Sequence, residues 1–311
     1  MKIALFDSWG QKFTRPLVKH WEDNGHDVKV NPEWEQAEFA DKVLFYPCDN
    51  VAGEGTHNHQ FNGEVYIFAV DIEIHAGQQN GIDWSKVTGC ITMAKHIDEM
   101  VKTPENVKRA IIRPGINLDK FTLRSESFWS KSIADNIRRV AYVVGDGRIW
   151  DVKRFDIALQ MIKDLNNNTK ERWELYVRGT YSSHAQYNAY CQHLIKDLKL
   201  ENNIIWTDRV DDMNSWLDDM DYFFLASTKE AFSYATAESM AKGIKPILGN
   251  WQSAKEIWGP YANETYLDMF SRFVESEYTP DTYRQFIVDN YNQTRYFDEL
   301  NKFMGISQEV K

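Results

Sequence analysis

Residues 221–246 read Asp221-Tyr-Phe-Phe-Leu-Ala-Ser-Thr-Lys-Glu230-Ala-Phe-Ser-Tyr-Ala-Thr-Ala-Glu238-Ser-Met-Ala-Lys-Gly243-Ile-Lys-Pro246. Tyr222 to Ala226 is an unbroken apolar run of strand length behind a polar Asp221, the pattern of an inner strand of a parallel sheet. Ser227 to Ser233 then lies at the strand's carboxyl end, where open α/β sheets bind ligands. A helix follows and stops at Gly243, with Pro246 three residues on, a sound C-terminal signal. Its amino end offers N–H groups and the positive end of the helix dipole to an anion.

Glu230 on the loop and Glu238 in the helix stand eight positions apart. With phosphates on the helix amino end, Glu230 faces the tip of a ligand, and Glu238 faces hydroxyls further back, such as a ribose diol. The same spacing also describes an ordinary βα unit with two solvated glutamates. Three more segments bear on that choice. They are Ile112-Arg-Pro-Gly-Ile-Asn-Leu-Asp-Lys-Phe121, Gly147-Arg148-Ile-Trp-Asp-Val-Lys153-Arg154 and Asn203-Ile-Ile-Trp-Thr-Asp-Arg-Val210. In this order, and with the Ser227–Pro246 stretch, they resemble the group-1 (family 4) retaining glycosyltransferases. That family carries N-G-V-D-x-x-x-F, G-R-x-x-x-x-K-G and S-x-x-E-G-F-G-L…E-A-M-A-x-G-x-P segments. The resemblance covers roughly residues 110 to 260. It implies the GT-B architecture, an α/β fold of two Rossmann-like parallel-sheet domains facing each other across a cleft.

Working outward, β-rich apolar runs recur at Ile3–Phe6, Val43–Tyr46, Val65–Val70, Cys90–Met93 and Ala110–Ile112. A second series follows at Val140–Val144, Leu175–Val177, Ile204–Trp206, Tyr222–Ala226 and Pro246–Leu248. Helical patterns lie between them, as at Phe155–Leu165 and Tyr187–Leu198, and such alternation implies parallel sheets. The polar, Ser-containing stretch 122–138 separates the two series. The expected division is an acceptor-side domain at 1–130 and a nucleotide-sugar-binding domain at 131–280. The resemblance adds a C-terminal helical segment, 281–311, that returns to the first domain.

The resemblance also assigns chemistry. The diphosphate of a nucleotide sugar is a leaving group whose growing charge must be absorbed by cations and helix dipoles. Arg148, able to make a bidentate contact, and Lys153, a compact charge, are expected beside it. Backbone N–H groups of Phe232, Ser233 and Tyr234 hold phosphates or sugar, Glu238 the ribose, and Glu230 a sugar hydroxyl. Arg209 and Val210 lie where backbone contacts select the base. Protein cations then do the work of a divalent ion, so neither a metal nor a resident cofactor is expected. The co-substrate is a UDP- or GDP-linked sugar.

The first domain departs from the family. Its first strand leads into Asp7-Ser-Trp-Gly10-Gln-Lys-Phe, with the single Gly10 left to allow close backbone approach. The family's histidine after the second core strand is replaced at Phe45-Tyr46-Pro47-Cys48-Asp49, which makes Asp49 the candidate substitute. His75, in Asp71-Ile-Glu73-Ile-His75, is the preferred acceptor-side histidine, beside the alternative that this segment merely caps a strand end. In the second domain Ala231 and Ser233 stand where the family has glycines. His57-Asn-His59, in the Gly-rich stretch Ala52-Gly-Glu-Gly55, reads as a polar loop, because no matching Cys/His pair at ligand spacing exists elsewhere.

Composition sets bounds. The chain has 311 residues, 43% hydrophobic and 14% aromatic with 11 Trp, enough for two cores of ordinary size. No apolar run approaches the roughly 18 residues of a membrane span, and the first strand is too short for a signal peptide. Three scattered cysteines fit reduced thiols and a cytoplasmic location. A net charge of −10 disfavours anionic membranes and nucleic acid. A local excess of Lys and Arg between 94 and 124 nonetheless keeps a modified DNA base among the acceptors, behind glycans and small molecules. The competing class is a non-catalytic nucleotide-sugar-binding module.

Overall fold

A computed structural model describes residues 1–11, 13–124, 136–144, 151–179, 185–207 and 212–307. The chain forms two compact units, one of Met1–Gly115 with Gln293–Lys311, the other of Ile116–Asn292.

The first unit is built on six strands: β1 (Lys2–Asp7), β2 (Asp27–Val30), β3 (Lys42–Tyr46), β4 (Glu64–Ala69), β5 (Gly89–Thr92) and β6 (Lys108–Ile111). They lie in the order β2-β1-β3-β4-β5-β6, and every pair is parallel. The inner strands read as near-continuous apolar runs because both faces are covered. β3 is buried at all five positions. By contrast β2, Asp-Val-Lys-Val, alternates as an edge strand and carries too little apolar signal to be read from sequence. The helix Gln293–Met304 belongs here. Asn301 Oδ1 accepts from Trp21 Nε1 at 2.8 Å, and the Met304 carbonyl from the Tyr66 hydroxyl at 3.2 Å.

The second unit holds β7 (Ile137–Val143), β8 (Arg172–Arg178), β9 (Ile204–Thr207), β10 (Tyr222–Leu225) and β11 (Lys245–Leu248). Their order is β11-β10-β7-β8-β9, again all parallel. The chain runs from β7 outward through β8 to β9, then crosses back to lay β10 on the other side of β7. The junction of β7 and β10 is therefore the topological switch point, the place where such sheets receive ligands. The helix Phe155–Asn168 covers one face with Phe155, Ala158, Leu159, Ile162 and Leu165, a three-four spacing that buries one stripe against Val140, Leu175 and Val177. Truncating Leu159, which is fully buried, should cost about 2–5 kcal/mol.

The unit boundaries fall at 115/116 and 292/293, against the sequence expectation of 130/131 and 280/281. The residues between 115 and the polar stretch are attached to the second unit by side chains remote in sequence. Ile116 pairs with Asn292 in an isolated bridge. Arg284 donates to the carbonyls of Phe121 at 2.7 Å, Ala241 at 2.6 Å and Leu118 at 3.4 Å. Arg124, buried, donates to the carbonyls of Met220 and Lys242 and to the Tyr278 hydroxyl. These contacts tie 116–124 to the second unit. The expected C-terminal helical segment 281–311 contains nearly all of one helix, Pro280–Asn290, and a second helix, Gln293–Met304, separated at the bridge.

Candidate functional site

The loop after β10 and the turn after β7 meet at the switch point. Thr228 N–H donates to the Val152 carbonyl at 2.8 Å, and the buried Tyr142 hydroxyl donates to the Lys153 carbonyl at 2.5 Å. Two neighbouring strands thus fix the backbone of a short 3-10 turn, Asp151–Lys153. Its side chain Lys153 forms an ion pair with Glu230 Oε1, and Ser227 Oγ donates to the same oxygen at 2.7 Å. The paired side chains are 25% and 16% exposed, so the pair is shielded yet reachable from solvent.

The next residue, Arg154, sits in the left-handed region (φ 55°, ψ 53°) where it caps the helix Phe155–Asn168. Such a conformation costs a non-glycine residue about 1 kcal/mol. A fork of two 3.1 Å hydrogen bonds to Asp156 holds it in place. The Tyr187 hydroxyl donates to Asp156 Oδ1 at 2.8 Å. Burial acts to raise the Asp156 pKa, but the Arg154 and Tyr187 bonds overcome it and hold the carboxyl below its usual range.

Ser233 opens the helix Tyr234–Ala241, its Oγ accepting from Thr236 N–H and from Thr236 Oγ1. The N-cap role explains why serine suits the position of a family glycine. At the other end Gly243 takes φ 75°. Its N–H bonds to the Met240 carbonyl at 2.9 Å, and Ile244 N–H to the Ser239 carbonyl at 3.0 Å, a Schellman closure. Phe232 is buried against Trp258, Tyr291 and Tyr234, with ring centroids 5.1–5.5 Å apart. That aromatic anchor seats the loop, so the helix amino end is presented by a rigid support. Glu238, half-buried, lies further along the same helix.

Lys153, Glu230, Phe232, Ser233, Tyr234 and Glu238 are thus assembled on one unit, around β7 and β10. Arg148, Arg209 and Val210 lie outside the described residues. Ser227, Thr228, Tyr142 and Asp156 were not singled out from sequence. Of these only Ser227 carried a signal, as the serine of S-x-x-E.

The first unit holds Gly10, Asp49 and His75. Gly10 has φ 68°, and a Cβ there would meet nothing within 4 Å. Its loop is organised by the buried Asp7, which accepts from Trp9 N–H at 2.7 Å and from the Thr14 hydroxyl. Asp49 accepts from the N–H groups of Val51 at 3.0 Å and Ala52 at 3.3 Å, capping the helix Asn50–Asn58. The Gly-rich stretch expected as a loop is therefore helical, because the cap satisfies its first N–H groups. His59 stacks on Trp34 at 4.4 Å and faces Glu38. Asp71–His75 is a single helical turn directly behind the carboxyl end of β4, and His75 Nε2 lies 3.0 Å from Asp71 Oδ1. Buried His96 lies 4.0 Å from that oxygen. Among the described residues no three His, Cys, Asp or Glu side chains converge as metal ligands.

Fold and site together define an α/β protein with a lysine–glutamate pair and a helix amino end at a switch point. The chain belongs to the glycosyl transferases group 1, whose family model matches residues 126–307, more than half of its length. HepE from Anabaena, solved with UDP and glucose, superposes with a TM-score of 0.76 at 12% identity, over 98% of this chain and 99% of that one. The sucrose-phosphate synthase of Thermosynechococcus elongatus gives 0.76 at 10%, over 97% and 98%. The lipopolysaccharide outer core galactosyltransferase WaaB gives 0.69 at 14%, over 97% and 98%. No curated protein matches in sequence. The two parallel-sheet units are those of the GT-B fold.

Proposed function

We propose that the protein is a retaining, metal-independent glycosyltransferase of family 4 that moves a hexosyl or pentosyl group from a UDP- or GDP-linked sugar to an acceptor hydroxyl. The observation that carries this reading is the Lys153–Glu230 pair, set at the switch point beside the amino end of Tyr234–Ala241. Lys153, with Arg148, receives the diphosphate charge that grows as the glycosidic bond breaks, and the N–H groups of Phe232, Ser233 and Tyr234 add the helix dipole. Glu230 accepts from a hydroxyl of the transferred sugar and Glu238 from the ribose. Arg209 and Val210 line the base.

In the transfer step the acceptor oxygen bonds to the anomeric carbon on the face the nucleotide leaves. The bonding electrons depart with the diphosphate, and a departing phosphate oxygen takes the acceptor's proton. UDP is the preferred carrier, since HepE has been solved with UDP-glucose and with UDP. Gly10 allows close approach of the donor, Asp49 takes the place of the family's histidine near the transferred sugar, and His75 serves the acceptor side. A glycan or small molecule is the favoured acceptor and a modified DNA base the less favoured one. Much of the basic excess between 94 and 124 is engaged internally: Arg109 pairs with Asp98 at 2.8 Å, Lys95 with Glu99 at 3.7 Å, and Arg124 is buried. The reading places the protein in the cytoplasm, consistent with three buried free cysteines and with no described helix long and apolar enough to cross a membrane.

The use of Asp49 as a helix cap favours one rival, a module that binds the nucleotide sugar without transferring it. Thermal unfolding against UDP, GDP and their sugar conjugates tests the shared donor site. A ligand at about a hundred times its Kd adds roughly 2.7 kcal/mol, a rise of about 5 °C in a chain this long. The shift should appear with one base and vanish in Glu238→Ala. No shift with any nucleotide rejects both readings. Release of nucleoside diphosphate on adding an acceptor separates the enzyme from the module.

A further inference from the structure

We propose that Glu230 is an internal stand-in for the donor's diphosphate, so that the site discriminates against free nucleoside diphosphate and in favour of the intact sugar nucleotide. The inference rests on the donor-site reading above. Glu230 Oε1 takes two donors, Lys153 Nζ and Ser227 Oγ, the latter at 2.7 Å. Both supporting backbones are pinned: Val152 by Thr228 N–H at 2.8 Å and Lys153 by the Tyr142 hydroxyl at 2.5 Å. The turn that carries Lys153 is thus tied to the loop that carries Glu230, and the exchange of partners inferred here is one of the lysine and glutamate side chains.

An ammonium group has three donors, and phosphate oxygens compete with the carboxylate for them. An incoming diphosphate also places like charge beside Glu230, a repulsion of kilocalorie scale at contact distance in a partly shielded site. An intact donor compensates, because its sugar hydroxyls donate to the carboxylate that Lys153 has given up. A free nucleoside diphosphate brings the repulsion and no hydroxyl, leaving Ser227 as the donor to Oε1. After transfer the same imbalance returns Glu230 to Lys153 and favours departure of the spent nucleotide.

The test is calorimetric titration of UDP, UDP-glucose and GDP into the wild type, Glu230→Gln, Lys153→Ala and the double variant. Glutamine keeps an oxygen for Ser227 and removes the charge. Glu230→Gln should bind the recognised nucleoside diphosphate about fivefold tighter, the scale of one partly exposed ion pair. It should gain less for the sugar conjugate, so the preference for the intact donor narrows. The gain should disappear in the Lys153→Ala background. Equal or weaker binding by Glu230→Gln overturns the inference. So does an undiminished gain without Lys153, which would reduce the effect to net charge. A wild type that binds none of the three ligands overturns the donor-site reading, and this inference with it.

Discussion

Glu73 makes stability in the first unit depend on pH in a direction opposite to most carboxylates. The residue is 4% exposed, and its Oε2 has no hydrogen-bond partner among the described residues. Burial pushes its pKa from 4.5 up to about 7; the bond to its own backbone N–H opposes this, while the charges of Asp49 and Asp71 reinforce it. Because the folded value lies above the unfolded one, the native state holds more protons between 4.5 and 7. Stability therefore falls as pH rises through that window and levels off above it. The gap corresponds to about 3 kcal/mol. Glu73→Gln removes the ionisation while keeping the shape. The variant should match the wild type near pH 4.5 and exceed it by up to about 3 kcal/mol at pH 8. Urea unfolding of both proteins at a series of pH values reads the difference directly. Parallel curves for the two proteins, with no divergence between pH 5 and 7, would refute the reasoning.

Other perturbations follow from the second unit. Arg284→Met keeps the aliphatic stem but abandons the carbonyls of Leu118, Phe121 and Ala241. It should cost about 3 kcal/mol and lower Tm by roughly 5 °C in calorimetry; an unchanged Tm would mean these bonds are fully replaced by water. Tyr142→Phe frees the Lys153 carbonyl and should lower kcat about tenfold while the circular dichroism spectrum stays native. Lys153→Ala should lower turnover about a hundredfold, whereas Glu238→Ala should chiefly weaken nucleotide binding. Steady-state kinetics with titration of the nucleotide separates the two, and a fully active Lys153→Ala enzyme contradicts the leaving-group role.

What could be read from sequence was what local physics specifies. The run Tyr222–Leu225 was legible because four apolar residues in a row suit an inner parallel strand covered on both faces. Ser233 and Gly243 bracket the helix because a hydroxyl caps N–H groups and only glycine takes φ 75° freely. Long-range pairings were not legible. Lys153 and Glu230 lie 77 positions apart and meet only because β10 crosses back beside β7. The reach of Arg284 and Arg124 across the fold, which moves the unit boundary to residue 116, has no local pattern. The helix Asn50–Asn58 was hidden by its glycines, whose low propensity the Asp49 cap and burial override. β2 was missed because half of its four residues are charged, as befits an edge.

The most direct measurement is to incubate the protein with UDP- and GDP-linked sugars and a panel of glycan and small-molecule acceptors, following nucleoside diphosphate release and the anomeric proton of the product by NMR. The account predicts acceptor-dependent release from one class of donor and a product with the donor's anomeric configuration, both lost in Lys153→Ala. A product of inverted configuration would contradict the retaining mechanism. Tight donor binding with no release for any acceptor would contradict the claim that this chain transfers sugar.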